Sequence, residues 1–303
     1  MVKAINSFLF LCVFLLILII INCTSNPLGD DEVSTRGQKI TGKISLNDNA
    51  SPENIYVWLA GVEVGTFTNA EGQFDLRLPS TAEQAGRGIS GHFSLYFYVS
   101  NYRLDSVSVA IRKGVVQTGQ ADINDEGEVE IPVVLKKLCA VHVSATPSYY
   151  PYFAESMAII QEYCHIFTGF EEPFLVLVEL TSLTHSLVIK YPGTTTGPAS
   201  IIFLKSIESK EPITKIIAVS ETILSTSLVT QELAKESKSW IGSIQLTADI
   251  LPPGKYEIIP YFFIEQNNVP KALLNSLYLS TNTPGLDFVN IPMKRSKVFL
   301  EIR

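Results

Sequence analysis

Val62-Glu-Val-Gly-Thr-Phe-Thr-Asn-Ala-Glu-Gly-Gln-Phe-Asp-Leu-Arg-Leu78 reads as a strand, a turn and a returning strand. Phe74, Leu76 and Leu78 occupy alternate positions, so on a pleated strand all three point one way, into a core. Asn69-Ala-Glu-Gly72 carries the turn chemistry between them. An Asn side chain accepts backbone N–H groups in a turn, and Gly takes the positive φ that a turn end demands.

The same alternation extends outward on both sides. Ile40, Ile44 and Leu46 share one face of Lys39–Leu46, and Ile55–Leu59 is a second apolar run. Beyond the turn, Phe93–Val99, Asp105–Ile111 and Glu128–Leu135 are rich in β-branched and aromatic residues and are bounded by Gly, Asn and Asp. These are strand signatures.

The stretch Gly65-Thr-Phe-Thr-Asn-Ala-Glu-Gly-Gln-Phe-Asp-Leu76, with Gly42 in the opening strand and Gly61 after Val57–Leu59, resembles the carboxypeptidase regulatory-like domain. The resemblance covers about residues 38–137 and implies a transthyretin-like β-sandwich. Ala50-Ser-Pro-Glu-Asn54 stands where that family carries a Gly- and Pro-containing segment, so that edge is expected to differ. The resemblance implies a fold and no chemistry.

Residues 138–303 also alternate. Phe174–Leu180, Ser186–Lys190, Ala199–Leu204, Lys215–Val219 and Ser239–Leu246 read as strands, and Pro252-Pro-Gly-Lys255 is a tight turn before another. Phe153–His165 places Phe153, Met157, Ile160 and Cys164 on one face of a short helix. The fold class expected is all-β, with two β-sandwich domains in tandem. The first is transthyretin-like over 38–137. The second, over 138–303, is immunoglobulin-like or related, with room for one short helix.

The N-terminus reads differently. Lys3 precedes an uncharged run of 14 residues, Phe8–Ile21. As a helix it rises about 21 Å, short of the roughly 30 Å hydrocarbon core of a bilayer, and suits a signal peptide over 1–22. Ile20-Ile-Asn-Cys23 resembles the lipobox of bacterial lipoproteins, with Asn22 in place of the usual small residue. That resemblance implies lipidation at Cys23 and membrane attachment facing the periplasm or cell surface. Residues 23–37 are polar and form a tether. Asp30-Asp-Glu32 resembles the acidic sorting signal of some Bacteroidota lipoproteins and reads more simply as a solvated charge cluster.

Composition narrows the function. The formal charge is −7, and no dense basic patch suits nucleic acid. Of four cysteines, Cys139 and Cys164 remain once Cys12 leaves with the signal and Cys23 takes lipid. They either bond in an oxidising envelope or pack as buried free thiols. Gly86-Arg-Gly-Ile-Ser-Gly91 spells a dinucleotide motif without the strand before it and helix after it that a phosphate site requires. Asp122-Ile-Asn-Asp-Glu-Gly127 begins like a calcium loop, but Val133 stands where the closing Glu belongs, so it reads as a hairpin turn. His92, His142, His165 and His185 have no close ligand spacing. No cofactor or metal is expected.

The cluster Tyr149, Tyr150, Tyr152 and Phe153 is the candidate ligand contact: exposed, it would stack on sugars or grip a peptide; buried, it would plug the joint between sandwiches. The expected function is a lipid-anchored, non-enzymatic binding or assembly module. Its partners are the membrane, through lipid, and an envelope protein, peptide or glycan. The alternatives are a hydrolase with a site assembled in 138–303, or a structural spacer.

Overall fold

The computed structural model describes residues 39–79, 88–147, 163–166, 174–184, 186–194, 197–198, 201–208, 214–218, 228–235, 237–244, 253–279 and 285–302. The chain is all-β. The first sandwich contains β1 (Lys39–Leu46), β2 (Tyr56–Leu59), β3 (Val64–Phe67), β4 (Gln73–Arg77), β5 (Gly91–Tyr98), β6 (Asp105–Arg112), β7 (Val115–Val116) and β8 (Val133–Leu135). One sheet runs β4-β1-β8 and the other β3-β2-β5-β6-β7. Ile40, Ile44 and Leu46 of β1 and Phe74, Leu76 and Leu78 pack against Val57, Leu59, Leu95 and Phe97 of the facing sheet. Each such side chain, fully buried, contributes roughly 1.5–3 kcal/mol.

The expected hairpin at Asn69–Gly72 is instead a corner. β3 pairs with β2, whereas β4 pairs with β1 in the other sheet. Phe74 and Leu76 belong to the shared core, and crossing between sheets brings them there. Gly72 has φ +79°, and a Cβ on it would run into the Ile44 carbonyl oxygen. Gly42 lies against the Phe74 ring, only 2.8 Å from where its own Cβ would be.

The expected strand over 128–135 is broken. Thr41 bridges Glu128 and Ile44 pairs with Val133, both in parallel, so β1 spends two residues where its neighbour spends four. Glu130, Ile131 and Pro132 bulge out and are exposed. Pro132 has no N–H to give to a ladder.

The second sandwich begins at β9 (Cys139–Pro147), followed by β10 (Tyr163–Ile166), β11 (Phe174–Ser182), β12 (Leu187–Thr194), β13 (Gly197–Pro198), β14 (Ile201–Ser206) and β15 (Thr214–Ala218). It continues with β16 (Leu228–Leu233), β17 (Ser237–Ile244), β18 (Gly254–Pro260), β19 (Phe263–Glu265), helix α1 (Lys271–Ser276) and β20 (Val298–Ile302). Sheets β17-β11-β9 and β10-β20-β18-β14-β15 face each other. That is the A-B-E against G-F-C-C′ order of an immunoglobulin-type sandwich. The helix expected over Phe153–His165 is contradicted at its C-terminal end. Tyr163–Ile166 is a strand paired in parallel with Phe299–Ile302, because the open edge of β20 offers it a ladder.

The three connections at one end of this sandwich carry an extra sheet. β12 pairs with β16 on one side and β19 on the other, and the Lys190–Glu265 ion pair (2.7 Å) ties β12 to β19. The open edge of β9 is occupied by Ser296, whose hydroxyl accepts from Val143 N (2.6 Å) and donates to Val143 O (2.9 Å).

That same end grips the first sandwich. Leu273, Leu274 and Leu279, with Phe263, cover Tyr56, Trp58, Tyr98 and Leu104 on the outer face of the β2/β5 sheet. Val57 and Leu59 already fill the inner core, so β2 is buried on both faces. Asn101, fully buried, donates from Nδ2 to Cys139 O (3.1 Å) and Lys294 O (2.8 Å), and its Oδ1 accepts from Lys294 N (3.0 Å). Gln266 donates to the carbonyls of Ser100 and Tyr102 and accepts from Leu104 N.

Candidate functional site

The loop end of an immunoglobulin-type sandwich is a common recognition surface. Among the described residues, this end docks the first sandwich, and an open concave surface lies elsewhere. A groove of about 1040 Å3 runs along β1, between the 126–133 segment and the β3–β4 corner. Ligand sites usually occupy about 300–1,000 Å3.

The alternation that buries Ile40 and Ile44 puts Thr41, Lys43 and Ser45 on the other side of β1, and all three line the groove. β4 adds Gln73 and Asp75, and β3 adds Thr66 and Phe67. The bulge adds Glu128, Glu130 and Ile131, with Glu126 in the turn before it. Phe67 is 45 % exposed and Ile131 53 % exposed, so each side of the groove offers an apolar surface to water. Phe67 is backed by the Tyr56 ring, 5.0 Å away between centroids. Gly65 makes this possible: a Cβ there would collide with the Tyr56 phenol.

The charges are asymmetric. Asp75 is held between Lys39 (2.8 Å) and Arg77 (3.8 Å). Among the described residues, Glu126, Glu128, Glu130 and Lys43 enter no ion pair, which leaves the bulge side acidic.

Two turns of one construction frame β1. Asn69 Oδ1 accepts from Glu71 N and Gln73 N, and Asn124 Oδ1 accepts from Glu126 N and Glu128 N. Both end in a Gly of positive φ whose carbonyl accepts a β1 amide: Gly72 from Ile44 N, Gly127 from Thr41 N. In the calcium-like segment Asp122–Gly127, the Asn124 oxygen is therefore engaged by the turn, and Asp122 Oδ2 accepts from Ser108 N. Among the described residues no three His, Cys, Asp or Glu side chains converge as metal ligands do.

Cys139 is a buried free thiol. Burial pushes its pKa up to about 12, so it stays protonated and is no nucleophile at neutral pH. Cys23, Tyr149, Tyr150, Tyr152 and Phe153 lie outside the described residues. At the joint between the sandwiches, α1 packs on Tyr56, Trp58 and Tyr98. Tyr98 and Tyr102 are buried, and Tyr96 stacks on Trp58 at 6.0 Å. The groove residues were missed as a site because each looks like the polar face of an ordinary strand. The repeated Asn-x-Glu-Gly was the signal that could have marked its two ends.

The class defined is an all-β chain of two docked sandwiches with an open groove on the first. A scan against protein-family profiles finds no match, and a search of curated proteins finds none. Among solved structures, the chain is similar to a candidate carbohydrate-binding protein of Bacteroides uniformis. They share 12% identity over 76% of this chain and 91% of that one, with a TM-score of 0.32. It is also similar to the major pilin subunit of Bacillus cereus (9% identity, 75% and 68% covered, TM-score 0.23). A shaft pilin of Lactobacillus rhamnosus matches at 9% identity, with 88% and 98% covered and a TM-score of 0.25. At such scores none of these bears on what this chain binds.

Proposed function

We propose that the chain is an extracytoplasmic binding module, anchored by lipid on Cys23, whose first sandwich is of the carboxypeptidase regulatory-like type and holds a glycan in the β1 groove. The observation that carries the reading is the groove's lining. Thr41, Ser45, Thr66, Gln73 and Asp75 line it together with the half-exposed Phe67. Sugars present hydroxyl edges that exchange hydrogen bonds with such groups and C–H faces that stack on an aromatic ring. The acidic bulge favours neutral or amine-bearing glycans over polyanionic ones.

The test is a glycan array probed with the full-length chain and with Phe67→Ala. Retention of neutral oligosaccharides by the native chain, lost in the variant, is the expected result. An identical pattern for both proteins would remove the groove from the account. For the anchor, Cys23→Ser is expected to lose incorporated palmitate and partition into the aqueous phase. Unchanged lipid labelling would overturn it.

A further inference from the structure

Resting on the glycan reading of the groove, we infer that it selects chains of N-acetylated amino sugars, through the main-chain N–H of Lys43 and the side chain of Ile131. A rung absent from a β-ladder carries the inference. Ile44 N donates to Gly72 O, so Ile44 turns its main-chain groups toward the β4 side. Alternation along β1 then turns those of Lys43 the other way, toward the segment that leads into β8. On that side Thr41 N donates to Gly127 O and Val129 N to Thr41 O, which begins a parallel ladder. Its next rung would run from Lys43 N to Val129 O. That rung is not made, and pairing resumes at Ile44 with Val133, past the bulge. Among the described residues Lys43 N–H therefore meets no acceptor, at an exposed position that lines the groove.

The loop that replaces the rung also supplies an apolar surface. Ile131 belongs to it, lines the same groove and is 53 % exposed. A sugar hydroxyl would take the Lys43 N–H and leave Ile131 in water. A carboxylate would take it and face the unpaired Glu128 and Glu130. An acetamido group suits both features. Its amide oxygen is the same acceptor as the peptide carbonyl that the ladder lacks, and its methyl covers Ile131. Phe67, on β3, and the bulge stand on opposite sides of the groove. The strands β4, β1 and β8 span about 10 Å. One unit of a chain thus stacks on Phe67 while another presents its acetamido group to the bulge.

Three β1,4-linked tetrasaccharides that differ at one substituent provide the test: N-acetylglucosamine, glucosamine and glucose. Each is titrated into the full-length chain in 0.5 M salt, where attraction between an amine and the acidic bulge is screened within about 4 Å. The native chain is expected to hold the acetylated tetramer about 10-fold more tightly than the other two, the size of one hydrogen bond and one buried methyl. Lys43→Ala keeps the N–H and the preference. Lys43→Pro removes the N–H and lowers the preference to about 3-fold. Ile131→Ala lowers it to a similar extent and leaves glucose binding unchanged. Should Lys43→Pro melt below the native chain, Ile131→Ala, at an exposed side chain, decides alone. Equal native affinity for the acetylated and glucose tetramers, or a preference that neither variant moves, overturns acetyl selection and leaves the groove standing. No binding of any tetramer by the native chain overturns both.

Discussion

Asn101 and Lys294 stand 193 residues apart and exchange two hydrogen bonds, the side-chain amide of one with the main chain of the other. An Asn side chain reproduces a peptide unit here, so the joint between sandwiches is closed by what amounts to a single β-bridge. Nδ2 also serves Cys139 O at 3.1 Å, while the Asn101 carbonyl accepts from Leu138 N and Cys139 N. The side chain thus ties both the linker and the returning strand segment to the first sandwich.

Asn101→Ala strands the Lys294 amide and two carbonyls at a buried position. A buried polar group left unpaired costs about 1–3 kcal/mol. The variant is expected to lose roughly 2–4 kcal/mol in urea denaturation of the full-length chain. A loss within the range of ordinary surface substitutions, about 0.5 kcal/mol, would show that the joint does not depend on it.

Asp48 sets an acid limit. Burial alone would raise its pKa, but hydrogen bonds from Lys137, Tyr102 and Ala50 N outweigh that and leave it below the usual value. Lys137 Nζ is 2.8 Å away, and the Tyr102 hydroxyl sits 2.9–3.0 Å from both carboxylate oxygens. A carboxyl with a lowered folded pKa contributes stability that is fully present above its unfolded value. That contribution is lost as pH falls through the folded one. The stability gap between native chain and Asp48→Asn is therefore expected to be constant from pH 7 to about 5 and to shrink below about pH 4. A gap that widens with acid would contradict the lowered pKa.

Cys139 is expected to be inert until the chain opens. It is fully buried and its thiol is pushed up to about 12. Iodoacetamide at pH 8, followed by peptide mapping, should leave Cys139 unmodified in the native protein and alkylate it in 6 M guanidinium. Rapid labelling in the native state would mean that β9 frays at its start.

Strand identity was largely legible, and what failed has a common cause. Lys39–Leu46 alternates over its whole length because only one face meets a core. The expected span is the observed β1. Tyr56–Leu59 and Ile201–Leu204 are continuous apolar runs, since α1 covers the outer face of one and Phe288 that of the other. A run of this kind announces two covered faces but not what covers them. Asn101 and Gln266, which close the joint, look in sequence like any loop amide. The groove was hidden for the opposite reason. Its β1 residues are the solvent half of an alternating strand, and the bulge at Glu130–Pro132 that opens it depends on the register of β8 with β1, 89 residues earlier. The Asn-x-Glu-Gly turn at 69–72 was readable; its twin at 124–127 was obscured by its likeness to a cation loop.

The groove's charge leads to the final expectation. Glu128 and Glu130 are exposed, and the acidic bulge faces a groove containing Lys43. A polyanionic glycan approaching β1 meets repulsion from these carboxylates, screened over about 8 Å at physiological ionic strength. Glu128→Gln with Glu130→Gln removes two negative charges without changing the shape of the bulge. The Thr41–Glu128 bridge uses main-chain atoms and survives. Polygalacturonate oligomers should then bind about 3- to 10-fold more tightly in 20 mM salt, and the gain should fade by 0.5 M. Neutral oligosaccharides should be indifferent to the change. An equal gain for charged and neutral ligands would locate the effect in bulge packing rather than in electrostatics, and calorimetric titration at two salt concentrations separates the two.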